Sequence, residues 1–260
     1  MNSLLPSLTQ TKSASVTDEE IQAYVSDHIG KFHLKRIESL GRLKLKTLLK
    51  RKNPYLFKCK HITVVTELIG GLLNAHLISQ EETIFGDFLE GLAIFVAKKT
   101  HGGLKSAATG IDLEFSIDDV RYIVSIKSGP NWGNSSQIKK MKENFTTAKR
   151  LIRQGNSTTR IIAVNGCCYG QDMKPDKGDY FKYCGQAFWE LISGDTEFYK
   201  RIIEPLAHRA EERNVVFQER FGSVLNKFSS EFMNEFCDKD GLINWSKLVA
   251  FSSAKQSLPG

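Results

Sequence analysis

Residues 110–129, GIDLEFSIDDVRYIVSIKSG, constrain the fold of this chain more than any other stretch. Apolar and polar residues alternate on both sides of Asp118-Asp119, a pattern typical of two half-buried strands joined by a tight turn. If that turn has two residues, Asp112 lies opposite Ser125, and Lys127 projects from the same face one step further along. The sequence therefore predicts a β-hairpin whose polar face brings these three side chains together.

Two carboxylates and one ammonium group would share this polar face, because Glu114 alternates in step with Asp112. Carboxylates bind Mg²⁺ through hard oxygen ligands, and the metal neutralises charge in the transition state of phosphodiester hydrolysis. Lys127 can orient or deprotonate the attacking water and counter the same charge. A second interpretation stays open, since a half-buried antiparallel hairpin commonly presents charged residues to water.

The string IDLEFSIDDVRYIVSIKSGPNWGNSSQ resembles the core of the PD-(D/E)xK nucleases, in which an acidic residue begins one strand and an acidic-x-Lys triplet lies on the next. It is most similar to type II restriction endonucleases, particularly those that cut GGNCC-type sites. The resemblance is clearest over residues 80–170. It implies that Asp112 is the first metal-binding aspartate, that Lys127 is the catalytic lysine and that Mg²⁺ is the cofactor. It also implies a substrate of double-stranded DNA and a DNA methyltransferase encoded with the protein rather than bound to it.

One position departs from the family pattern, because the triplet Ser125-Ile126-Lys127 lacks its carboxylate. Ser125 would supply only a hydroxyl beside the lysine. Some restriction enzymes with such a triplet take the carboxylate from a neighbouring helix, which leaves three candidates for a metal ligand: Glu114 on the hairpin, Glu90 on the preceding helix and Glu143 on the following helix. Glu90 is favoured, because residues 86–90 resemble the Gly-x-x-x-Glu helical element that precedes the first catalytic strand in this fold.

Basic and polar residues around the hairpin are predicted to contact DNA. They lie in the loop before the hairpin, in the loop after it, on the helix that Asn134 or Ser135 begins, and in a long polar loop of the kind that reads base edges. The candidates are Lys105, Asn131, Trp132, Asn134, Gln137, Lys139, Lys140, Lys142, Gln171 and Lys174. For Trp132, packing of the loop against the core is the alternative to stacking on a base.

The order of elements predicts an α/β (α+β) fold with a restriction-endonuclease-like core, in which helices flank a mixed central sheet. We divide the chain into a flexible arm at 1–16, a helical N-terminal region at 17–78, a catalytic core at 79–195 and a helical C-terminal region at 196–260. The helices predicted before the hairpin run from Thr17 to about His28, from Phe32 to Lys50, from Val64 to His76, and from Ile84 to Gly102. Basic residues in the second of these would either track phosphates or form a solvated face.

The net charge of +7 and the pI near 9.1 suit a polyanionic partner. No stretch approaches the roughly 20 apolar residues of a membrane span, and the N-terminus lacks a secretory pattern, so we expect a cytoplasmic protein with no membrane partner. Neither GxxxxGK(S/T) nor GxGxxG follows a strand, which argues against ATP- or NAD-driven chemistry. The cysteines form no CxxC pair, which argues against a zinc site or a disulfide framework.

We interpret the chain as a type II site-specific deoxyribonuclease that acts as a homodimer on a short palindromic site. A two-fold dimer is expected because one active site cuts one strand, and a symmetric site presents the same phosphate to each subunit. Two alternatives remain: a structure-specific repair or recombination nuclease of the same fold, and a non-catalytic basic DNA-binding module, for which Ser125 is the best support. A family member with an inactive site is a third possibility.

Overall fold

The structure, a computed structural model, describes residues 15–155 and 158–255. The arm predicted at 1–16 falls almost wholly outside this range. The described residues form two compact units. The first contains 15–29, 85–155 and 158–208, and the second contains 30–84 and 209–255.

Ten helices and four strands are assigned within the described residues. They are α1 (Asp18–Arg42), α2 (Leu45–Lys50), α3 (Pro54–Cys59), α4 (Val65–His101), β1 (Leu113–Ile117), β2 (Val120–Lys127), α5 (Ser135–Gly155), β3 (Arg160–Cys167), β4 (Phe181–Cys184), α6 (Gln186–Ser193), α7 (Phe198–Arg201), α8 (Ile203–Leu206), α9 (Ala210–Phe236) and α10 (Trp245–Ser253). None of these helices is long and apolar enough to cross a membrane.

The four strands form one mixed sheet in the order β1-β2-β3-β4, which confirms the predicted fold class. Strands β1 and β2 are antiparallel, whereas β2, β3 and β4 are parallel to one another. The hairpin register pairs Leu113 with Val124 and Ile117 with Val120, so the turn has two residues, as predicted. Asp118 in that turn has a φ of 51°, a conformation that aspartate tolerates better than most residues.

Helix α5 covers one face of the sheet. Its buried residues recur at helical spacing and meet apolar residues of the strands in one cluster, which contains Ile111, Ile123, Met141, Phe145, Ala148, Ile161, Ala163 and Tyr180. Burial of each large apolar side chain contributes about 1.5–3 kcal/mol. On the opposite face Gly166 lies against Phe188 of α6, so closely that a Cβ atom at this position would overlap the ring.

The second unit has a helical core of its own. It is built from Leu40, Leu45, Leu48, Leu49, Val65, Leu68, Ile69, Leu72, Leu73, Leu77, Phe217, Val224, Phe228, Phe232, Phe236 and Leu248. The buried leucines of α2 and Leu248 of α10 belong to it, so these short elements are anchored by their apolar faces.

Four helices precede the hairpin, but their predicted bounds were wrong, because α1 continues through the expected break at 29–31 and α4 continues through the expected break at 77–83. The proposed joint at 79–82 contains no proline or glycine, and Gln80, Glu81 and Glu82 are good helix formers. The Thr83 hydroxyl donates to the Ser79 carbonyl at 3.1 Å inside the helix. Glu81, within that expected break, also forms an ion pair with Arg36 of α1 at 2.6 Å. The predicted capping box at the start of α1 is confirmed, since Glu20 N–H donates to Thr17 Oγ1 at 3.2 Å.

Candidate active site

Asp112, Ser125 and Lys127 meet at the carboxyl end of β2. Asp112 immediately precedes β1, and its backbone N–H donates to the Val124 carbonyl at 2.8 Å, which continues the hairpin ladder. Its Oδ2 accepts from the Ile126 backbone N–H at 2.7 Å, lies 3.5 Å from Ser125 Oγ and lies 3.9 Å from Lys127 Nζ. All three contacts fall on one oxygen. Among the described residues, none is seen on Oδ1, which is therefore free to bind a cation.

The backbone around Lys127 is held by a neighbouring segment. The N–H groups of Cys168 and Tyr169 donate to the carbonyls of Lys127 and Ser128 at 2.9 and 3.1 Å. The Lys127 side chain is 30% exposed and that of Asp112 is 23% exposed. The pair is accessible to a ligand and yet partly shielded from water, so charge interactions there are stronger than on an open surface.

Glu90 lies on α4 within electrostatic range of both residues. Its Oε1 is 3.7 Å from Lys105 Nζ, and its side chain is 31% exposed. Burial raises the pKa of Glu90, the Asp112 carboxylate raises this pKa further, and the Lys105 and Lys127 ammonium groups oppose both effects. Burial raises the pKa of the nearby Cys168 thiol to about 12, so that thiol stays neutral and adds no charge. Two carboxylates that repel each other favour a cation between them.

Glu114 and Glu143 are placed differently. Glu114 is buried, and its carboxylate accepts from Ser106 Oγ and from Arg121, whose Nε lies 3.1 Å away. Glu143 is exposed on α5, 3.9 Å from Lys140. In the parts of the chain that the structure describes, no group of three or more His, Cys, Asp or Glu side chains is arranged as a metal site. Of the three candidate glutamates, Glu90 is the one whose pKa the Asp112 carboxylate raises.

Asn165 is a site residue that the sequence interpretation missed. It lies on β3 beside Ser125 and is 1% exposed. Its Nδ2 donates to the Ser125 carbonyl at 3.2 Å, and its Oδ1 accepts from Trp132 Nε1 at 3.1 Å. The Trp132 ring in turn lies 5.2 Å from Lys127 Nζ, within the range of a cation–π contact. The available signal was one polar residue within the apolar run of β3, IIAVNGC.

A sequence model of the family described as type II restriction endonuclease EcoO109I matches residues 19–214. The matched range holds every residue of the site described above. The chain belongs to the EcoO109I family of type II restriction endonucleases. This membership confirms the predicted resemblance and implies a DNA substrate. No curated protein sequence matches the chain.

A restriction endonuclease of this family needs residues that touch DNA, and the predicted candidates fall into two groups. Asn134 and Gln137 are occupied in a capping box at the start of α5, where Gln137 N–H donates to Asn134 Oδ1 at 3.0 Å and Asn134 N–H donates to Gln137 Oε1 at 2.9 Å. Lys142 forms an ion pair with Asp179 at 3.1 Å. Lys105 is mostly exposed but pairs with Glu90. The other exposed candidates are Asn131, Lys139, Gln171 and Lys174, together with Lys140, which lies 3.9 Å from Glu143.

Proposed function

We propose that this EcoO109I-family protein hydrolyses both strands of duplex DNA in the presence of Mg²⁺, at a short palindromic site of the GGNCC type. The observation that carries the proposal is the pair of carboxylates, Asp112 and Glu90, beside the Lys127 ammonium at the carboxyl end of β2. In a restriction endonuclease such a set has the composition that metal-assisted phosphodiester hydrolysis requires.

Asp112 and Glu90 would hold the metal. Asp112 Oδ1 is free. The pKa of Glu90 is raised first by burial and then by the Asp112 carboxylate, and a cation would relieve the repulsion between the two carboxylates. Mg²⁺ commonly takes one or two protein carboxylates and completes its shell with water and phosphate oxygens, so the absence of a third carboxylate is compatible with it. When bound, the metal neutralises charge on the scissile phosphate and lowers the pKa of a bound water.

Lys127 supplies the second positive charge. Its ammonium group can donate hydrogen bonds to a phosphate oxygen and to the attacking water, so it orients that water and counters the charge that develops. Ser125 carries no charge and contributes a hydroxyl 3.5 Å from Asp112 Oδ2. The Ile126 N–H holds the Asp112 carboxylate in place before substrate binds, which limits the reorganisation that the reaction requires.

A homodimer completes the proposal. One such site cuts one strand, and a palindromic duplex presents two equivalent phosphates related by a two-fold axis. Two copies of the chain would therefore act on the two strands.

The test is cleavage of unmethylated phage DNA by wild type, Asp112→Asn and Lys127→Ala, each with Mg²⁺ and with EDTA. Wild type should give discrete bands in Mg²⁺ and none in EDTA, and sequencing of the ends would give the site. Both variants should lose at least about 10³-fold in rate, because each removes several kcal/mol of charge stabilisation. Asp112→Asn should bind DNA as well as wild type or better, since it removes a negative charge near phosphate.

Two results would contradict the proposal. Salt-sensitive DNA binding without cleavage by wild type would leave a non-catalytic DNA-binding module. Cleavage that follows branched or mismatched structure rather than sequence would leave a structure-specific nuclease of the same fold.

A further inference from the structure

The positive charge of the chain is concentrated in one segment of the second unit. Between Glu38 and Glu67 the sequence holds eight Lys and Arg residues and no Asp or Glu, whereas the rest of the chain holds 28 basic and 29 acidic residues. The segment therefore accounts for the whole net charge of +7. It lies outside the candidate active site and includes α2 and α3.

Two of the eight basic residues are neutralised by carboxylates. Arg42 pairs with Glu38 at 2.9 Å, and Lys46 pairs with Glu235 at 2.9 Å. The other six form no ion pair with a carboxylate of the described residues. We name them the basic platform: Lys44, Lys50, Arg51, Lys52, Lys58 and Lys60.

Packing against α10 holds part of the basic platform in position. Lys50 Nζ lies 5.4 Å from the ring centroid of Phe251, and Lys58 Nζ lies 5.6 Å from that of Trp245. The buried leucines of α2 anchor the same segment to the core of the unit. Because the two lysines rest on rings, less side-chain freedom is lost when they contact a ligand.

The potential of the basic platform reaches a neighbouring group. Burial lowers the pKa of His76, and the positive charges of Arg51 and Lys52 lower it further. Like charges within one segment of 17 residues repel one another, and a polyanion reduces that repulsion.

We propose that the basic platform is a second DNA-binding surface, which contacts phosphates of duplex DNA without regard to sequence. The inference rests on the proposed function only in that the substrate is duplex DNA. Regularly spaced phosphates match a surface of unpaired lysines and arginines, and each contact releases counterions, so affinity depends steeply on salt. Phosphate contacts position a protein on DNA, whereas base contacts give the sequence preference.

The test uses the full chain in EDTA, so that binding is measured without cleavage. The triple variant Lys44→Gln, Arg51→Gln, Lys60→Gln removes three exposed charges of the basic platform. The triple variant Lys31→Gln, Lys98→Gln, Lys227→Gln removes the same number of exposed charges elsewhere. A third variant, Lys44→Arg, Arg51→Lys, Lys60→Arg, keeps the charges. Dissociation constants are measured for cognate and non-cognate 40-base-pair duplexes over a series of salt concentrations.

The platform variant should reduce the slope of log K against log salt by about 0.9 for each phosphate that the protein no longer neutralises, and should weaken binding by about tenfold or more at moderate salt. Affinity for cognate and non-cognate duplexes should fall by the same factor. The charge-keeping variant should behave as wild type, and the variant with distant substitutions should keep the wild-type slope.

Three outcomes would overturn the inference. An unchanged slope in the platform variant would show that these residues are a solvated face. An equal loss of affinity in both Gln variants would assign the effect to net charge. A loss of affinity confined to the cognate duplex would indicate sequence readout. Binding is measured in EDTA and cleavage is measured separately in Mg²⁺, so the two proposals can fail independently. If wild type cleaves DNA but the salt slope of the platform variant is unchanged, the basic platform alone is refuted. If wild type binds DNA with the expected salt dependence but does not cleave it, the proposed function alone is refuted.

Discussion

In the candidate active site each ammonium group lies near a carboxylate, with Lys127 at 3.9 Å from Asp112 and Lys105 at 3.7 Å from Glu90. In the basic platform six cations have no carboxylate partner among the described residues. These two distances are longer than that of a direct charged hydrogen bond, so each carboxylate is partly neutralised by a lysine but still has oxygen lone pairs available for a metal ion. The difference indicates two kinds of ligand: a metal ion and phosphate in the first region, and phosphate alone in the second.

The largest effect expected in this comparison is on the cleavage rate, and it distinguishes the roles of Glu90 and Glu114. Glu90→Gln should lower the single-turnover cleavage rate about 10²–10³-fold in Mg²⁺, because it removes a metal ligand. Glu114→Gln should cleave within about threefold of wild type but lose about 1 kcal/mol in unfolding free energy, since Arg121 and Ser106 lose a charged acceptor. Rapid-quench cleavage and urea unfolding measure the two effects. If Glu114→Gln cleaved DNA more slowly than Glu90→Gln, Glu114 rather than Glu90 would be the metal ligand.

A smaller effect is expected where the active site is held in position. Asn165→Ala removes the hydrogen bonds to Trp132 and to the Ser125 carbonyl, and should lower the cleavage rate about tenfold, as loss of a supporting residue typically does. Trp132→Phe keeps an aromatic ring beside Lys127, so its cleavage rate should fall less than that of Asn165→Ala. The double variant Asn165→Ala, Trp132→Phe should lose less cleavage rate than the two single variants combined, because Asn165 acts partly through its hydrogen bond with the indole N–H of Trp132.

Affinity for duplex DNA in EDTA gives the control for these variants, and it should stay within about twofold of wild type. If affinity falls while the cleavage rate within the bound complex does not, Trp132 contacts a base. Stacking on a base is one of the two roles that the sequence left open for this residue.

Local features of the fold could be predicted, whereas contacts between distant segments could not. The hairpin register follows from period-two alternation and a two-residue turn, both of which lie within residues 110–129. The contact of Arg36 in α1 with Glu81 in α4 joins residues that are 45 positions apart, so neither segment alone predicts it. The role of Asn165 depends on the parallel pairing of β2 with β3, which places it beside Ser125, 40 positions earlier.

The Glu90 carboxylate also predicts how stability depends on pH. Its pKa is raised in the folded protein, chiefly by burial, so the folded state binds more protons than the unfolded state between the ordinary and the raised value. The unfolding free energy of metal-free protein should therefore fall as pH rises through that window. Glu90→Gln lacks this loss, so its stability relative to wild type should increase from acidic to neutral pH.

Urea unfolding at a series of pH values in EDTA measures this difference. Glu143→Gln is the matched control, because it removes an exposed carboxylate whose ion pair contributes little. Mg²⁺ should stabilise wild type and should stabilise Glu90→Gln less. A relative stability of Glu90→Gln that does not change with pH would contradict the raised pKa of Glu90 in the folded protein.

The smallest expected effect concerns the basic platform without DNA. Lys44→Gln, Arg51→Gln, Lys60→Gln should raise the unfolding free energy by about 0.3–0.5 kcal/mol at low salt, because like charges at close range repel. The gain should vanish in about 1 M salt, where the Debye length falls to roughly 3 Å. The variant Lys31→Gln, Lys98→Gln, Lys227→Gln should gain less, since its three charges come from three separate helices, and an equal gain would assign the effect to net charge. If the same three substitutions raise the unfolding free energy and weaken DNA binding, the charges of the basic platform cost the free protein a little stability and contribute to DNA affinity. The repulsion between them is then a consequence of phosphate binding.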